Sequence, residues 1–151
     1  MPPEHPIIRP AVEGDADRLA ELSGQLGYPA SPAAILDRLR RLAARGDQQV
    51  FVALRDGQVV GWAQVGRGLS LESGPQAELL GLVVDEAHRG RGLGQILVSE
   101  AEAWARAQGL PALRVRCNVL RDATHRFYRR LGFDETKRQV VFRKPLEPAV
   151  P

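Results

Sequence analysis

Arg89-Gly90-Arg91-Gly92-Leu93-Gly94 lies between a strongly apolar run, Glu78 to Val84, and an amphipathic one. In the second run Leu93, Ile96, Leu97, Ala101 and Trp104 recur at helical spacing, up to a stop at Gly109. The order is therefore strand, glycine turn, helix. Glycine permits φ > 0 and lets a ligand approach the backbone closely. The helix that follows offers free N–H groups and the positive end of its dipole, a natural seat for a pyrophosphate. Arg89 and Arg91 add charge beside it. Three phosphate-binding turns compete for this sequence. A P-loop needs Gly-Lys-Ser/Thr, and the only lysines are Lys137 and Lys144. The dinucleotide fingerprint needs its third glycine where Gln95 stands, and Gly94 comes one residue early. The pattern Arg/Gln-x-x-Gly-x-Gly/Ala is met by Arg89, Gly92 and Gly94. The plain alternative is a strand-to-helix turn that binds nothing.

Working outward, Ile7 to Pro10 reads as a short strand. Asp15 is placed to cap a helix carrying Leu19, Leu22 and Leu26, which ends near Gly27. Ser31-Pro32 starts a second helix with Ile35, Leu39 and Leu42 as its buried face, closed by Gly46. Val50 to Leu54 and Val59 to Val65 read as strands joined at Asp56-Gly57, a tight hairpin signal. Residues 66–76, with Gly66, Gly68, Gly74 and Pro75, read as a loop. Beyond Gly109 come a strand from Leu113 to Cys117, a helix from Asp122 to Leu131 ended by Gly132, and a last strand from Gln139 to Arg143 before Pro145. This order predicts an α/β sandwich with a mixed sheet, antiparallel in its first half, in a single domain over residues 1–151.

Composition narrows the class. Hydrophobic residues are 44% and charged residues 26%, as in ordinary globular proteins. No apolar run approaches the roughly 20 residues of a membrane span, and no secretory leader is visible. Cys117 is the only cysteine, which rules out an internal disulfide and favours the cytoplasm. The net charge of +3 is uneven: residues 1–75 carry 8 basic and 9 acidic side chains, residues 76–151 carry 13 and 9. A basic second half suits a phosphorylated ligand. Only 5% of residues are aromatic and no dense basic cluster is interleaved with them, so nucleic acid is not expected as a partner.

A second motif agrees with the first. The segment beginning at Asn118 ends in His125-Arg126-Phe127-Tyr128-Arg129-Arg130-Leu131-Gly132-Phe133. Together, the glycine turn and this Phe-Tyr-x-x-x-Gly-Phe sequence closely resemble the GCN5-related N-acetyltransferase (GNAT) family, most strongly from Glu78 to Pro145. The stretch Thr136 to Lys144 is similar to small bacterial members, including aminoalkylphosphonate acetyltransferases; Thr124, where such members often carry Ala, is a departure. The resemblance implies a GNAT-like α+β fold: a mixed, mostly antiparallel sheet flanked by helices on both faces. It implies acetyl-CoA as cosubstrate, its pyrophosphate at Arg89, Gly90, Arg91, Gly92, Leu93 and Gly94. The pantetheine arm would pair with the backbone of Leu82, Val83 and Val84, and Asn118 would bond that arm. A homodimer is common among such proteins.

The implied reaction moves an acetyl group to a primary amine by direct attack in a ternary complex. An amine titrating near ~10 needs a base at neutral pH. Glu78, where the family often has a Glu, is the candidate, acting through water; Glu72 is a weaker one. A thiol of pKa ~8.5 leaves readily, so a phenol suffices as acid. The resemblance sets Tyr128 beside the sulfur for that role. The plain readings are a strand-edge carboxylate for Glu78 and a packing tyrosine for Tyr128. Phe127, Phe133, Trp62, Trp104 and Cys117 read as core, and His88 as a surface residue. Tyr28 is a candidate for the acceptor pocket. His5, His88 and His125 lack metal-ligand spacing, and no metal is expected. The competing function is a non-catalytic CoA-binding sensor or regulatory module.

Overall fold

A computed structural model describes residues 5–117 and 119–148. The chain divides into two compact units, Met1–Arg116 and Cys117–Pro151. In the first, the elements run β1 (Ile7–Pro10), α1 (Ala16–Gln25), α2 (Pro32–Ala43), β2 (Gln48–Arg55), β3 (Gln58–Ser70), β4 (Gly74–Val84), α3 (Leu93–Ala107) and β5 (Leu113–Val115). The five strands form one sheet in sequence order. Neighbours are antiparallel up to β4, and β4 pairs β5 in parallel. A parallel neighbour needs a crossover, and α3 supplies it.

Local chemistry explains most boundaries. Ser31 accepts a hydrogen bond from the Ala34 N–H at 3.1 Å with Pro32 in the first turn, and so starts α2. Asp56 (φ 50°) and Gly57 (φ 75°) both take the left-handed conformation that a two-residue hairpin requires. Asp15 departs from its expected role. Its carboxylate makes no cap to α1 but reaches back to the Val12 N–H at 2.8 Å and takes both arms of Arg9, at 2.8 and 2.9 Å.

Alternation along the strands gives the sheet two apolar faces. On one, Val52, Val59 and Val83 pack with Leu19 and Leu22 of α1, while Ile35 and Leu39 of α2 lie partly buried against them. No residue of α2 is fully buried, so its apolar stripe acts as a cover. On the other face Gly61 admits α3: a Cβ there would come within 3.1 Å of Leu97 Cδ1. α3 buries Leu93, Leu97, Val98, Ala101 and Ala105; Ile96 and Trp104 stay half-exposed.

Residues 66–76, expected as a loop, are instead the far end of a long hairpin. Gly66 pairs with Glu78, Gly68 with Gln76 and Ser70 with Gly74. The ladder bonds backbone to backbone, so glycines do not end it. Gly66 leaves room for the Gln48 side chain, and Gly74 (φ 70°) supplies the turn. Nearer the centre the register slips: Gln64 faces Gly81 and Val65 faces Leu79, leaving Leu80 unpaired and half-exposed in a bulge.

The second unit contains α4 (Asp122–Arg130). Gly132 (φ 92°) ends it in a Schellman turn, with the Phe133 N–H bonded to the Tyr128 carbonyl and the Gly132 N–H to that of Arg129, both at 3.0 Å. The expected strand from Gln139 to Arg143 is not formed; residues 134–148 have no regular secondary structure. A β-prone sequence becomes a strand only when a neighbour completes its ladder. Val140, Val141 and Phe142 are accordingly 77%, 83% and 90% exposed. β5 also stops at Val115, two residues before the expected Cys117.

Candidate active site

The glycine turn is built by the strand before it and the helix after it. β4 ends at Val84, and Asp85 caps a short 3₁₀ turn, Glu86–His88, by accepting from the Ala87 N–H at 3.3 Å. Gly90 (φ 77°) and Gly92 (φ 80°) then reverse the chain in left-handed conformations, and Gly92 stands as the N-cap of α3. Leu93, 1% exposed, anchors the first turn in the core. A Cβ on Gly90 or Gly92 would meet nothing within 4 Å. Backbone conformation, not crowding by the protein, is thus what demands glycine at both positions. The opening N–H groups of α3 have no side-chain cap. Arg89 donates through Nε to the Val84 carbonyl at 3.3 Å and is exposed. Arg91 is also exposed, and among the described residues it has no hydrogen bond or ion pair.

The strand leading into this turn has a partly open side. β5 pairs β4 only over Ala77, Glu78 and Leu79. Past that point no described strand lies on this edge of β4. Leu82, Val83 and Val84 pair with Ala63, Trp62 and Gly61 on the other edge. Val83 sends its side chain into the core, 2% exposed, while Leu82 and Val84 are half-buried. Glu78 and Val84 are six residues apart, which spans about 20 Å of extended strand.

Glu78 sits where β4 and β5 pair, directly opposite Arg114. Its Oε1 lies 3.5 Å from Nε of Arg114 and 3.1 Å from Nε of Arg116, and its side chain is 21% exposed. Glu78 is thus a half-buried carboxylate between two guanidiniums. The distances make ion pairs, yet the angles do not make hydrogen bonds: Glu78 Oε1 and Arg114 Nε are both buried without a hydrogen-bond partner.

Tyr128 belongs to the second unit, on α4. It is 8% exposed and stands edge-on to Phe127 and Phe133, with ring centroids 5.1 and 5.4 Å away. Burial, with the Cys117 thiol nearby as a lesser cause, pushes its phenol up to about 12. It therefore keeps its proton at neutral pH. Burial also raises the Cys117 thiol above its ordinary value, against a smaller opposing pull from Arg121, so little thiolate forms. Cys117, Phe127 and Phe133 are half-buried rather than fully core. Asn118 lies outside the described residues.

Among the other candidates, Tyr28 is 70% exposed on the α1–α2 connection, and Glu72 is exposed at the β3–β4 turn. Trp62 packs over Gly81, where any Cβ would strike its ring. His88 is not the free surface residue expected: its side chain is 23% exposed and its Nδ1 is 3.3 Å from Asp85 Oδ2. Sequence reasoning missed Asp85 altogether, together with Arg18 and Gln25 of α1, which bind it at 2.6 and 3.2 Å. An acidic residue directly after a buried strand and just before a glycine turn was the available signal.

A mixed sheet whose fourth strand runs through a glycine turn into a helix with no side-chain cap has the form of an anion-binding α/β architecture. The chain matches the Acetyltransferase (GNAT) family over residues 17–133. It is 35% identical over 149 residues to the aminoglycoside N(6')-acetyltransferase type 1 of Stenotrophomonas maltophilia, covering 95% of this chain and 96% of that protein. Among solved structures, an aminoglycoside antibiotic 6'-N-acetyltransferase from Acinetobacter haemolyticus superposes with a TM-score of 0.81 at 27% identity, covering 93% of this chain and 99% of that one. An aminoglycoside N-acetyltransferase in complex with CoA shares the fold at a TM-score of 0.86 and 22% identity, covering 97% and 99% of the two chains. The chain belongs to the GCN5-related N-acetyltransferase family. It is an acetyl-CoA-dependent enzyme that transfers an acetyl group to an amine.

Proposed function

We propose that the acceptor is an amino group of an aminoglycoside, acetylated by direct attack while acetyl-CoA is bound. The observation that carries the acceptor is the 35% identity to the Stenotrophomonas aminoglycoside acetyltransferase, which runs nearly the whole length of both chains.

The residues divide the work as follows. The turn Arg89, Gly90, Arg91, Gly92, Leu93 and Gly94 holds the pyrophosphate; the uncapped N–H groups of α3 and the unpaired Arg91 support this assignment. Leu82, Val83 and Val84 pair with the pantetheine arm along the open edge of β4, as an added strand would. The span of about 20 Å back to Glu78 is of the right order for an arm reaching from pyrophosphate to thioester. A backbone N–H of this segment polarises the thioester carbonyl, and Asn118 steadies the arm. Glu78 accepts the proton of the attacking amine through water; its place on the strand that leads into the glycine turn supports this. As the new C–N bond forms and the C–S bond breaks, Tyr128 donates its phenolic proton to the departing thiolate and regains it from solvent; a phenol raised to about 12 is a weaker acid than a thiol of ~8.5, so this contribution is modest.

We take residues 1–151 as a single acetyltransferase domain acting in the cytoplasm, as a homodimer. Among the described residues no helix is long and apolar enough to cross a membrane. The exposed run Val140, Val141 and Phe142 supports the dimer, since a second copy would cover apolar surface that is unusual on a monomer. Light scattering that gives only monomer at micromolar concentration removes that part of the reading.

The acceptor is tested by following CoA release with a panel of aminoglycosides, polyamines and aminoalkylphosphonates. An aminoglycoside should reach a kcat/KM of about 10⁴ M⁻¹s⁻¹ or more, and the other amines far less. Turnover confined to another amine class reassigns the acceptor and leaves the acetyl-CoA chemistry intact.

A further inference from the structure

Asp85 directly follows β4, four residues before Arg89, and is 8% exposed. Its own N–H donates to the Val60 carbonyl at 2.8 Å, fixing it to β3. Two side chains of α1 grip its carboxylate, beside local contacts from the Ala87 N–H and from His88 Nδ1, 3.3 Å from Oδ2. Arg18 donates through Nη2 to Oδ2 at 2.6 Å, and through Nε to the Val59 carbonyl at 2.8 Å. Gln25, the last residue of α1, donates through Nε2 to Oδ1 at 3.2 Å. The same amide accepts the Glu86 backbone N–H through Oε1 at 2.9 Å. Oδ1 also takes the Ala87 N–H, and the Asp85 carbonyl takes the His88 N–H at 2.8 Å.

These bonds are separate from those that hold the core. Leu19, Leu22 and Val83 already join α1 to the sheet. The polar contacts act on Asp85, Glu86 and Ala87, the residues that set the direction in which the chain enters Arg89 and Gly90. They also handle charge. A carboxylate this close to a pyrophosphate seat would repel the anion, and the Arg18 guanidinium offsets it.

We infer that Asp85, held by Arg18 and Gln25, is a positioning residue for the cofactor turn, so that α1 sets the geometry of the acetyl-CoA site at a distance. This rests on the reading of Arg89 to Gly94 as the pyrophosphate turn. It makes a prediction that a merely structural pin does not. Loosening the grip weakens acetyl-CoA binding while the chemistry of the bound complex is untouched.

The test uses Gln25→Ala, which removes two hydrogen bonds and no charge, beside Asp85→Asn, which keeps the size of the side chain. Acetyl-CoA affinity by calorimetry, KM and kcat, and the melting temperature of the free protein are measured for each. Gln25→Ala should raise the acetyl-CoA Kd and KM about five- to tenfold, the loss expected for one or two hydrogen bonds. Its kcat at saturation should stay within about twofold of wild type, since only uniform binding is lost. Asp85→Asn should act in the same direction. A lower melting temperature with unchanged affinity overturns the inference, as does a fall in kcat at unchanged KM. Hydrogen exchange of the wild-type protein separates the two levels. If acetyl-CoA fails to protect amides of residues 89–94, the turn was misread and the inference falls with it. If it protects them while Gln25→Ala binds normally, only the positioning role of Asp85 is lost.

Discussion

Oε1 of Glu78 lies 3.1 Å from Nε of Arg116 and still accepts no hydrogen bond. Arg114 and Arg116 together hold the carboxylate in place on β4, where the proposed reaction calls for a base. Glu78→Gln should therefore lower kcat about 10²-fold while acetyl-CoA affinity stays near wild type. Steady-state kinetics with the best acceptor, alongside acetyl-CoA calorimetry, checks it. An unchanged kcat with a lowered melting temperature would reduce Glu78 to an ion-pair partner of Arg114 and Arg116.

Tyr128 keeps its proton until about 12, because burial disfavours the phenolate. Deprotonation is what would disable it as an acid, so kcat should show no basic limb from this group up to pH 10. Tyr128→Phe should lower kcat roughly tenfold, since a thiolate is a good leaving group, with acetyl-CoA binding intact. A wild-type basic limb near pH 9 that vanishes in the Phe variant would contradict the assignment of about 12.

The Cys117 thiol is also raised by burial, so it is a poor nucleophile at neutral pH. Direct transfer in a ternary complex then predicts that Cys117→Ser keeps kcat within about threefold, because no covalent step passes through it. Rapid mixing with acetyl-CoA and no amine should release no burst of CoA. A stoichiometric burst that Cys117→Ser abolishes would replace direct attack with an acyl-enzyme route.

Asp15 governs part of the response to acid. The Arg9 guanidinium bonded to it holds its carboxyl below the ordinary value, against the opposing effect of burial. For Asp85 burial is the largest influence and acts upward, but its bonds from Gln25, Ala87 and Arg18 outweigh it and also leave the carboxyl lowered. A lowered folded-state pKa means that the unfolded chain binds the proton first. The stabilisation is complete above the unfolded value of ~3.9 and is lost as pH falls through the folded one. Melting temperature should thus drop steeply below about pH 4. Asp15→Asn should cost about 1–3 kcal/mol at pH 7 and flatten that acid slope. An equally steep slope in the variant would show that other carboxylates dominate.

Much of the fold was legible in single residues. Ser31-Pro32 and Asp56-Gly57 act locally and appear where they were read. The glycine turn was equally clear, because φ > 0 at Gly90 and Gly92 is a backbone demand that few other residues meet. Asp15 was misread because a carboxylate at a helix start has two backbone directions to serve, and only the position of Arg9 chose between them. Residues 66–76 were misread because glycines lower strand propensity, but a ladder already begun carries them. Gln139 to Arg143 failed in the opposite sense: strong propensity made no strand without a pairing neighbour.

The sequence by itself determined the family, the order of the elements down to α4, the cosubstrate and the conformation of the glycine turn. These rest on local rules: hydrophobic period, glycine conformation, and caps within a few residues of the groups they serve. Tertiary structure alone decided which charges meet. Arg18 and Asp85 are 67 residues apart in the chain, and Glu78 and Arg116 face each other only because α3 carries β5 back beside β4. Such contacts carry no spacing signal, because the path between the partners runs through the packing of a whole sheet.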